Sequence, residues 1–161
     1  MKILVSECLL GTPCRYDAKT SARLMEWFSE HGVASEDIIP VCPEVLGGLP
    51  TPRAAAEMKG PVKAVLRGSA TIETRTGRDV TAPFIKGANI ALELALSNGA
   101  CAALLKSKSP SCGIHRIYDG SFTGTLIEGS GLTATLLREA GIVLFDETEL
   151  DQLADWLAKH R

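Results

Sequence analysis

This 161-residue sequence lacks any apolar run near the roughly 18 residues that a membrane-spanning helix needs. It also lacks an excess of one charge, because 17 lysines and arginines stand against 19 aspartates and glutamates, a net charge of −2. Such a balance gives no broad attraction to nucleic acid or to an anionic membrane. We therefore predict neither a nucleic-acid partner nor a membrane role.

Export and nucleotide-binding signals are also missing. Ser6 and Glu7 interrupt the first apolar residues too early for a signal peptide, which favours a cytoplasmic protein. No glycine-rich phosphate motif opens a helix, so a nucleotide cofactor is not expected. The 15 glycines and 8 prolines form no linker or low-complexity segment, and we expect one domain over residues 1–161. The sequence leaves the oligomeric state open.

The apolar pattern predicts the α/β class. Short apolar runs typical of strands end near Cys8, Cys42, Leu105 and Phe145. Between and after them, apolar residues at helical spacing begin near Leu24, Phe84, Leu132 and Leu150. This alternation is typical of a single three-layer, Rossmann-like domain with a mostly parallel sheet. The alternation at residues 62–66 and 70–74 around Gly68 further predicts a small β-hairpin excursion.

The five cysteines carry the main chemical signal. Their odd number and the absence of an export signal favour reduced thiols over disulfides. Cys8 and Cys42 end predicted strands, and Cys112 lies in the loop after a third strand. Because parallel strands end at one edge of a sheet, these three thiols are expected to converge if the strands are neighbours.

Three converging thiolates suit several kinds of site. They satisfy three irons of a four-iron cluster or three positions of a zinc ion, and both arrangements leave one position open. Cys14 or His115 offers a fourth ligand if the site is structural. The spacing alone does not separate these sites from the alternative that the cysteines are small buried apolar residues.

Several sequence motifs resemble a known family of small bacterial proteins, the one that includes 2-thiouracil desulfidase. They are residues 5–11 (VSECLLG), 14–17 (CRYD), 41–44 (VCPE), 47–53 (GGLPTPR) and 109–113 (SPSCG), followed by 118–120 (YDG) and 122–124 (FTG). The resemblance covers about residues 5–145, nearly the whole chain. Its motifs occur in the family's order, which is far more specific than any single motif.

The resemblance implies a 4Fe-4S cluster held by only three cysteines, at the matching positions Cys8, Cys42 and Cys112. The open iron would bind the sulfur of a thiolated pyrimidine such as 2-thiouracil, and water would replace that sulfur to give uracil and hydrogen sulfide without electron transfer. Glu44, two residues from Cys42, is the expected general base. Ser109, three residues before Cys112, is expected to hydrogen-bond the substrate or pass a proton.

Two alternatives use the same residues differently. A zinc ion on Cys8, Cys42 and Cys112 would serve a hydrolase, and a non-catalytic sulfur carrier would hold a persulfide on one cysteine. Without the resemblance, the residues favour a loop acid or helix cap at Glu44 and a turn residue before Pro110 at Ser109 over catalytic roles. We assign Cys101 to core packing and Cys14 to the role of an accessory thiol.

Overall fold

A parallel four-stranded sheet forms the centre of the computed structural model, which describes residues 1–20 and 22–161. Its strands are β1 (Lys2–Ser6), β2 (Ile38–Val41), β5 (Ala100–Leu105) and β8 (Val143–Asp146). They lie in the order β2-β1-β5-β8, and all three pairings are parallel. The strand β1 is therefore central, and the carboxyl ends of β2, β1 and β5 are neighbours.

Helices cover both faces of this sheet. Helices α1 (Met25–Glu30) and α6 (Leu150–His160) contribute Phe28 and Leu157 to one core cluster, which includes Ile3 of β1. The helices α4 (Thr81–Ser97) and α5 (Leu132–Glu139) pack on the other face, where Leu4 of β1 is buried. Successive strand residues point to opposite faces, so β1 supplies both cores. Within the described residues, no helix combines the length and apolar character required to cross a bilayer.

Short elements build a further layer, which packs against α4. The hairpin of β3 (Ala56–Met58) and β4 (Ile72–Thr74) and the hairpin of β6 (Arg116–Tyr118) and β7 (Leu126–Glu128) are both antiparallel. The two short helices are α2 (Pro43–Leu46) and α3 (Val62–Leu66). Met58, Ile72 and Ile117 bury this layer against Phe84 of α4.

The predicted α/β class with a mostly parallel sheet is confirmed, but the predicted position of the excursion hairpin is wrong. Residues 62–66 form the helix α3, and β4 pairs instead with β3. The neighbouring residues Ala64 and Val65 are both buried, which a strand with one solvent face does not allow. A five-residue apolar segment fits the residue spacing of a helix as well as that of a strand, and only its packing in the folded chain decides between them.

Helices α2 and α4 touch backbone to backbone through two glycines. A β-carbon on Gly87 would lie 1.7 Å from the carbonyl oxygen of Pro43, and one on Gly47 would lie 1.9 Å from that of Pro83. Neither carbonyl can move without moving its helix. This contact fixes α2, and with it the segment from Cys42 to Glu44, against the long helix α4.

Gly87→Ala is accordingly expected to destabilise the protein by about 2–3 kcal/mol, because the methyl group must push α2 away from α4. Urea unfolding monitored by circular dichroism measures this free energy. Lys86→Ala, on the exposed side of the same helix, is the control and should leave the unfolding midpoint nearly unchanged. An unaltered midpoint for Gly87→Ala would show that the helices are not in close contact.

Candidate functional site

A cavity of about 780 Å³ opens at the carboxyl edge of the sheet. Ligands of open α/β sheets bind in this position, just beyond the strand ends. The cavity is lined by every residue that the sequence analysis assigned to the site, namely Cys8, Cys42, Glu44, Ser109 and Cys112. The structure therefore brings together side chains that lie more than 100 positions apart in the sequence.

The three cysteines of the expected ligand set come from the ends of three adjacent strands. Cys8 lies in a 3₁₀ turn (Glu7–Leu9) directly after β1, and Cys42 joins β2 to α2. Cys112 follows β5, in a turn whose backbone is held by Ser109. All five cysteines of the chain are free thiols.

Ser109 organises the loop that carries Cys112. Its Oγ accepts hydrogen bonds from the backbone N–H groups of Cys112, at 2.7 Å, and of Ser111, at 3.2 Å. Burial raises the pKa of the Cys112 thiol to about 12. The uncharged form of this thiol is thus favoured until a cation compensates the thiolate.

Cys14 forms part of the same group of thiols. It is 7% exposed, lines the cavity and faces the side chains of Cys42 and Cys8. Hydrogen bonding to those two sulfurs, with burial, raises the pKa of the Cys14 thiol. The same hydrogen bond from Cys14 lowers the pKa of Cys42. The cavity therefore holds four thiols, one more than the expected ligand set.

Glu44 is held by a guanidinium group. The Arg53 side chain donates to Oε2 of Glu44 from Nε, at 2.9 Å, and also from Nη2. Both side chains are largely buried, with 7% of Arg53 and 16% of Glu44 exposed. Arg53 also donates to the carbonyl oxygens of Cys14 and Pro50. A guanidinium group that donates from two nitrogens fixes the position of a carboxylate more firmly than a lysine ammonium group does.

The far wall of the cavity contains residues that the sequence did not indicate. The buried carboxylate of Glu57 accepts from the backbone N–H groups of Gly120 and Phe122, at 2.9 and 3.2 Å. The Phe122 ring lines the cavity beneath the cationic ends of Lys59 and Arg75. Phe122 lies in one of the quoted motifs, whereas no local pattern distinguishes Glu57.

Two residues considered from the sequence lie outside the cavity lining. The Cys101 thiol donates to the Lys2 carbonyl oxygen at 3.4 Å, within the sheet. His115 is exposed and pairs with Glu149 at 2.9 Å, so it offers no ligand to the thiols. Among the described residues, His115, Glu149 and Asp146 form the group of three possible metal ligands whose donor atoms lie within 4.8 Å of one another. None of the cysteines belongs to such a set.

A family model for 2-thiouracil desulfurase matches residues 3–149 of this chain. The chain belongs to this family. One relative of this chain is the uncharacterized protein YbbK of Bacillus subtilis (strain 168), which is 42% identical over 154 residues. The match covers 94% of this chain and 99% of YbbK. A solved structure described as the [4Fe-4S]-dependent thiouracil desulfidase TudS is 46% identical, with a TM-score of 0.86 and 98% of both chains covered. The resemblance stated from the motifs is confirmed.

The donor atoms of this family member fit an iron–sulfur cluster. Cysteine thiolates are the usual ligands of such clusters, and four cysteine sulfurs line this cavity. Cys8, Cys42 and Cys112 would hold the cluster, since they extend from three neighbouring strand ends. The cofactor expected from the sequence agrees with the description of the TudS structure.

Proposed function

We propose that the chain is a 4Fe-4S-dependent desulfidase that removes sulfur hydrolytically from a thiolated pyrimidine such as 2-thiouracil. Water supplies the oxygen of the product base, the sulfur leaves as hydrogen sulfide, and no electron is transferred. The observation that carries the proposal is the convergence of Cys8, Cys42 and Cys112 on one cavity that also contains Glu44 and Ser109. The substrate class named for the TudS relative supports the same activity.

The spacing of the thiols supports a cluster rather than a single zinc ion. Three thiolates on one tetrahedral zinc lie about 3.8 Å apart, given Zn–S bonds of about 2.3 Å. Among the described residues, no three cysteines form a group of donor atoms close enough to share one metal ion. A four-iron cluster spreads its ligands over separate irons, which suits three thiols at three strand ends.

Protein groups supply the acid–base chemistry. When bound, the cluster supplies a soft Lewis acid that matches a thiocarbonyl sulfur. Glu44, fixed by Arg53, takes a proton from the attacking water. Ser109 uses its oxygen lone pairs to hold the Cys112 turn, which leaves its hydroxyl proton for a hydrogen bond to the base.

The charges around the cavity suit a substrate that binds as an anion. Six basic side chains line it, against the acidic side chains of Glu7, Glu44 and Glu57. The basic residues are Arg15, Arg53, Arg75, Arg78, Lys106 and Lys108. A thiopyrimidine that binds through sulfur as a thiolate carries a negative charge that this lining stabilises.

Anaerobic reconstitution followed by a sulfide-release assay tests the proposal. The protein should take up about four iron and four sulfide ions per chain and show the broad visible absorbance of a cluster. It should then release sulfide from 2-thiouracil in equal amount to the uracil formed, with no added reductant. Protein that carries a full cluster but releases no sulfide from any thiopyrimidine would contradict the proposed activity.

The same experiment separates the two alternatives. A zinc hydrolase would contain about one zinc per chain after anaerobic purification and would work without iron. A sulfur carrier would show one persulfide per chain, detected by mass spectrometry, and no turnover. Either result would contradict the proposed desulfidase function and support the corresponding alternative.

A further inference from the structure

Phe122 is an aromatic side chain of the cavity wall that the proposed chemistry does not use. Its ring is half-buried and lines the cavity, and among the described residues it belongs to none of the three apolar core clusters. The other three phenylalanines, Phe28, Phe84 and Phe145, are buried in those clusters. Packing of the core therefore does not explain a phenylalanine at position 122.

The backbone of Phe122 has a conformation that residues with a side chain rarely adopt. Its φ is +57°, in the left-handed region where glycine fits more easily than a residue with a β-carbon. Residues held in this region cluster at active sites and ligand clamps, where the surrounding structure fixes them. The loop between β6 and β7 thus keeps an aromatic ring at a position where the backbone alone favours glycine.

Glu57 of β3 holds this loop in place. One oxygen of its buried carboxylate accepts from the backbone N–H groups of both Gly120 and Phe122, at 2.9 and 3.2 Å. Lys59 donates to the carbonyl oxygen of Gly120 at 2.5 Å, and its ammonium group lies 5.2 Å from the centre of the Phe122 ring. These contacts fix the position of the ring in the cavity wall.

Arg75 makes a contact with the ring that a bound base can replace. Its guanidinium carbon lies 5.1 Å from the ring centre, and the side chain is exposed. Among the described residues, no hydrogen bond or ion pair anchors that guanidinium group. Because an exposed cation–π contact is weak, the guanidinium group gives way readily to a flat base stacked on the same ring.

We propose that the pyrimidine ring of the substrate stacks on Phe122, and that Glu57 is a positioning residue that holds Phe122 for this contact. This inference rests on the desulfidase function proposed above. The sulfur of the substrate is directed to the wall that carries the cysteines, and the face of its ring is recognised on the opposite wall. Stacking accepts any flat base, because every such base has a π face, and it discriminates against saturated rings.

Apparent affinities for two thiocarbonyl compounds test the stacking contact. 2-Thiouracil is flat and aromatic, whereas 5,6-dihydro-2-thiouracil carries its thiocarbonyl group in a puckered, partly saturated ring. Phe122→Leu removes the aromatic ring but keeps apolar bulk, so KM for 2-thiouracil should rise about tenfold while the affinity for the dihydro compound changes less than about twofold. Phe122→Tyr keeps the ring and is the matched control, which should resemble the wild type.

Sulfide release by reconstituted holoenzyme gives KM, and an inhibition constant replaces KM if the dihydro compound is not desulfurised. Two variants of Glu57 extend the test without altering the ring. Glu57→Ala removes the acceptor of both N–H groups and should reproduce the selective loss of affinity for 2-thiouracil. Glu57→Gln keeps a carbonyl oxygen that accepts the same hydrogen bonds and should resemble the wild type. A merely structural role would weaken the binding of both compounds alike.

Equal losses of affinity for the two compounds in Phe122→Leu, or no loss for either, would overturn the stacking contact. If Phe122→Leu does not load a cluster, the comparison of Glu57→Ala with Glu57→Gln decides the same question. Unchanged affinities in Glu57→Ala would overturn the positioning role. In each case, sulfide release from 2-thiouracil by the wild type leaves the desulfidase function standing, whereas a cluster-loaded wild type that releases no sulfide contradicts that function instead.

Discussion

Cys112→Ala is expected to abolish both the cluster and sulfide release. Cys112 is the sharpest choice among the proposed ligands because Cys14 faces Cys8 and Cys42 and is available to replace either of them. The thiol of Cys112 is buried and its loop is fixed by Ser109, so the cluster has no substitute ligand on that side. We expect a cluster held only by Cys8 and Cys42 to be lost during purification, so that the iron content falls below about one per chain.

Iron and sulfide analysis after anaerobic reconstitution measures this effect, together with the visible spectrum. Cys101→Ala is the control, because it also removes a thiol but leaves the cavity lining intact. Circular dichroism should show that both variants fold. A Cys112→Ala protein with a full cluster would mean that the ligand set has been chosen wrongly.

Glu44→Gln is expected to keep the cluster and to lower kcat by about 100-fold or more. The amide has nearly the shape of the carboxylate and still faces Arg53, but it cannot accept a proton from water. The variant should still bind 2-thiouracil, because Glu44 is not one of the proposed iron ligands. Substrate binding is followed by the change in the visible spectrum, and turnover by released sulfide.

Glu93→Gln is the control for this experiment, since Glu93 is exposed on helix α4 and does not line the cavity. It should match the wild type in iron content and in turnover. A Glu44→Gln enzyme with wild-type kcat would exclude Glu44 as the base and would leave the carboxylate with only a positioning role beside Arg53.

Long regular elements were predictable because their apolar period matches one structure alone. Strands β1 and β5 and helix α4 lie where the pattern placed them, and each is long or apolar enough to be buried on a known face. The apolar pattern of residues 62–66 predicts a strand where the structure has a helix, because five residues fit a strand and a helix equally well. Its helix is decided by burial of Ala64 and Val65 against other parts of the chain.

The outline of the site was predictable for a topological reason. Parallel strands bring their carboxyl ends to one edge, so Cys8, Cys42 and Cys112 were expected to meet once their strands were recognised. The motif resemblance added the roles of Glu44 and Ser109. These roles remain predictions, although both residues do line the cavity.

Sequence alone thus determined the fold class, the family and the edge of the sheet that carries the site, because these follow from local periodicity and from motifs. The three-dimensional packing, in contrast, sets the contacts of Cys14 with Cys8 and Cys42, the hydrogen bonds from Arg53 to Glu44, and the close approach of α2 and α4 at two glycines. Such contacts join loops whose paths depend on packing with distant segments, and no local pattern of residues encodes those paths.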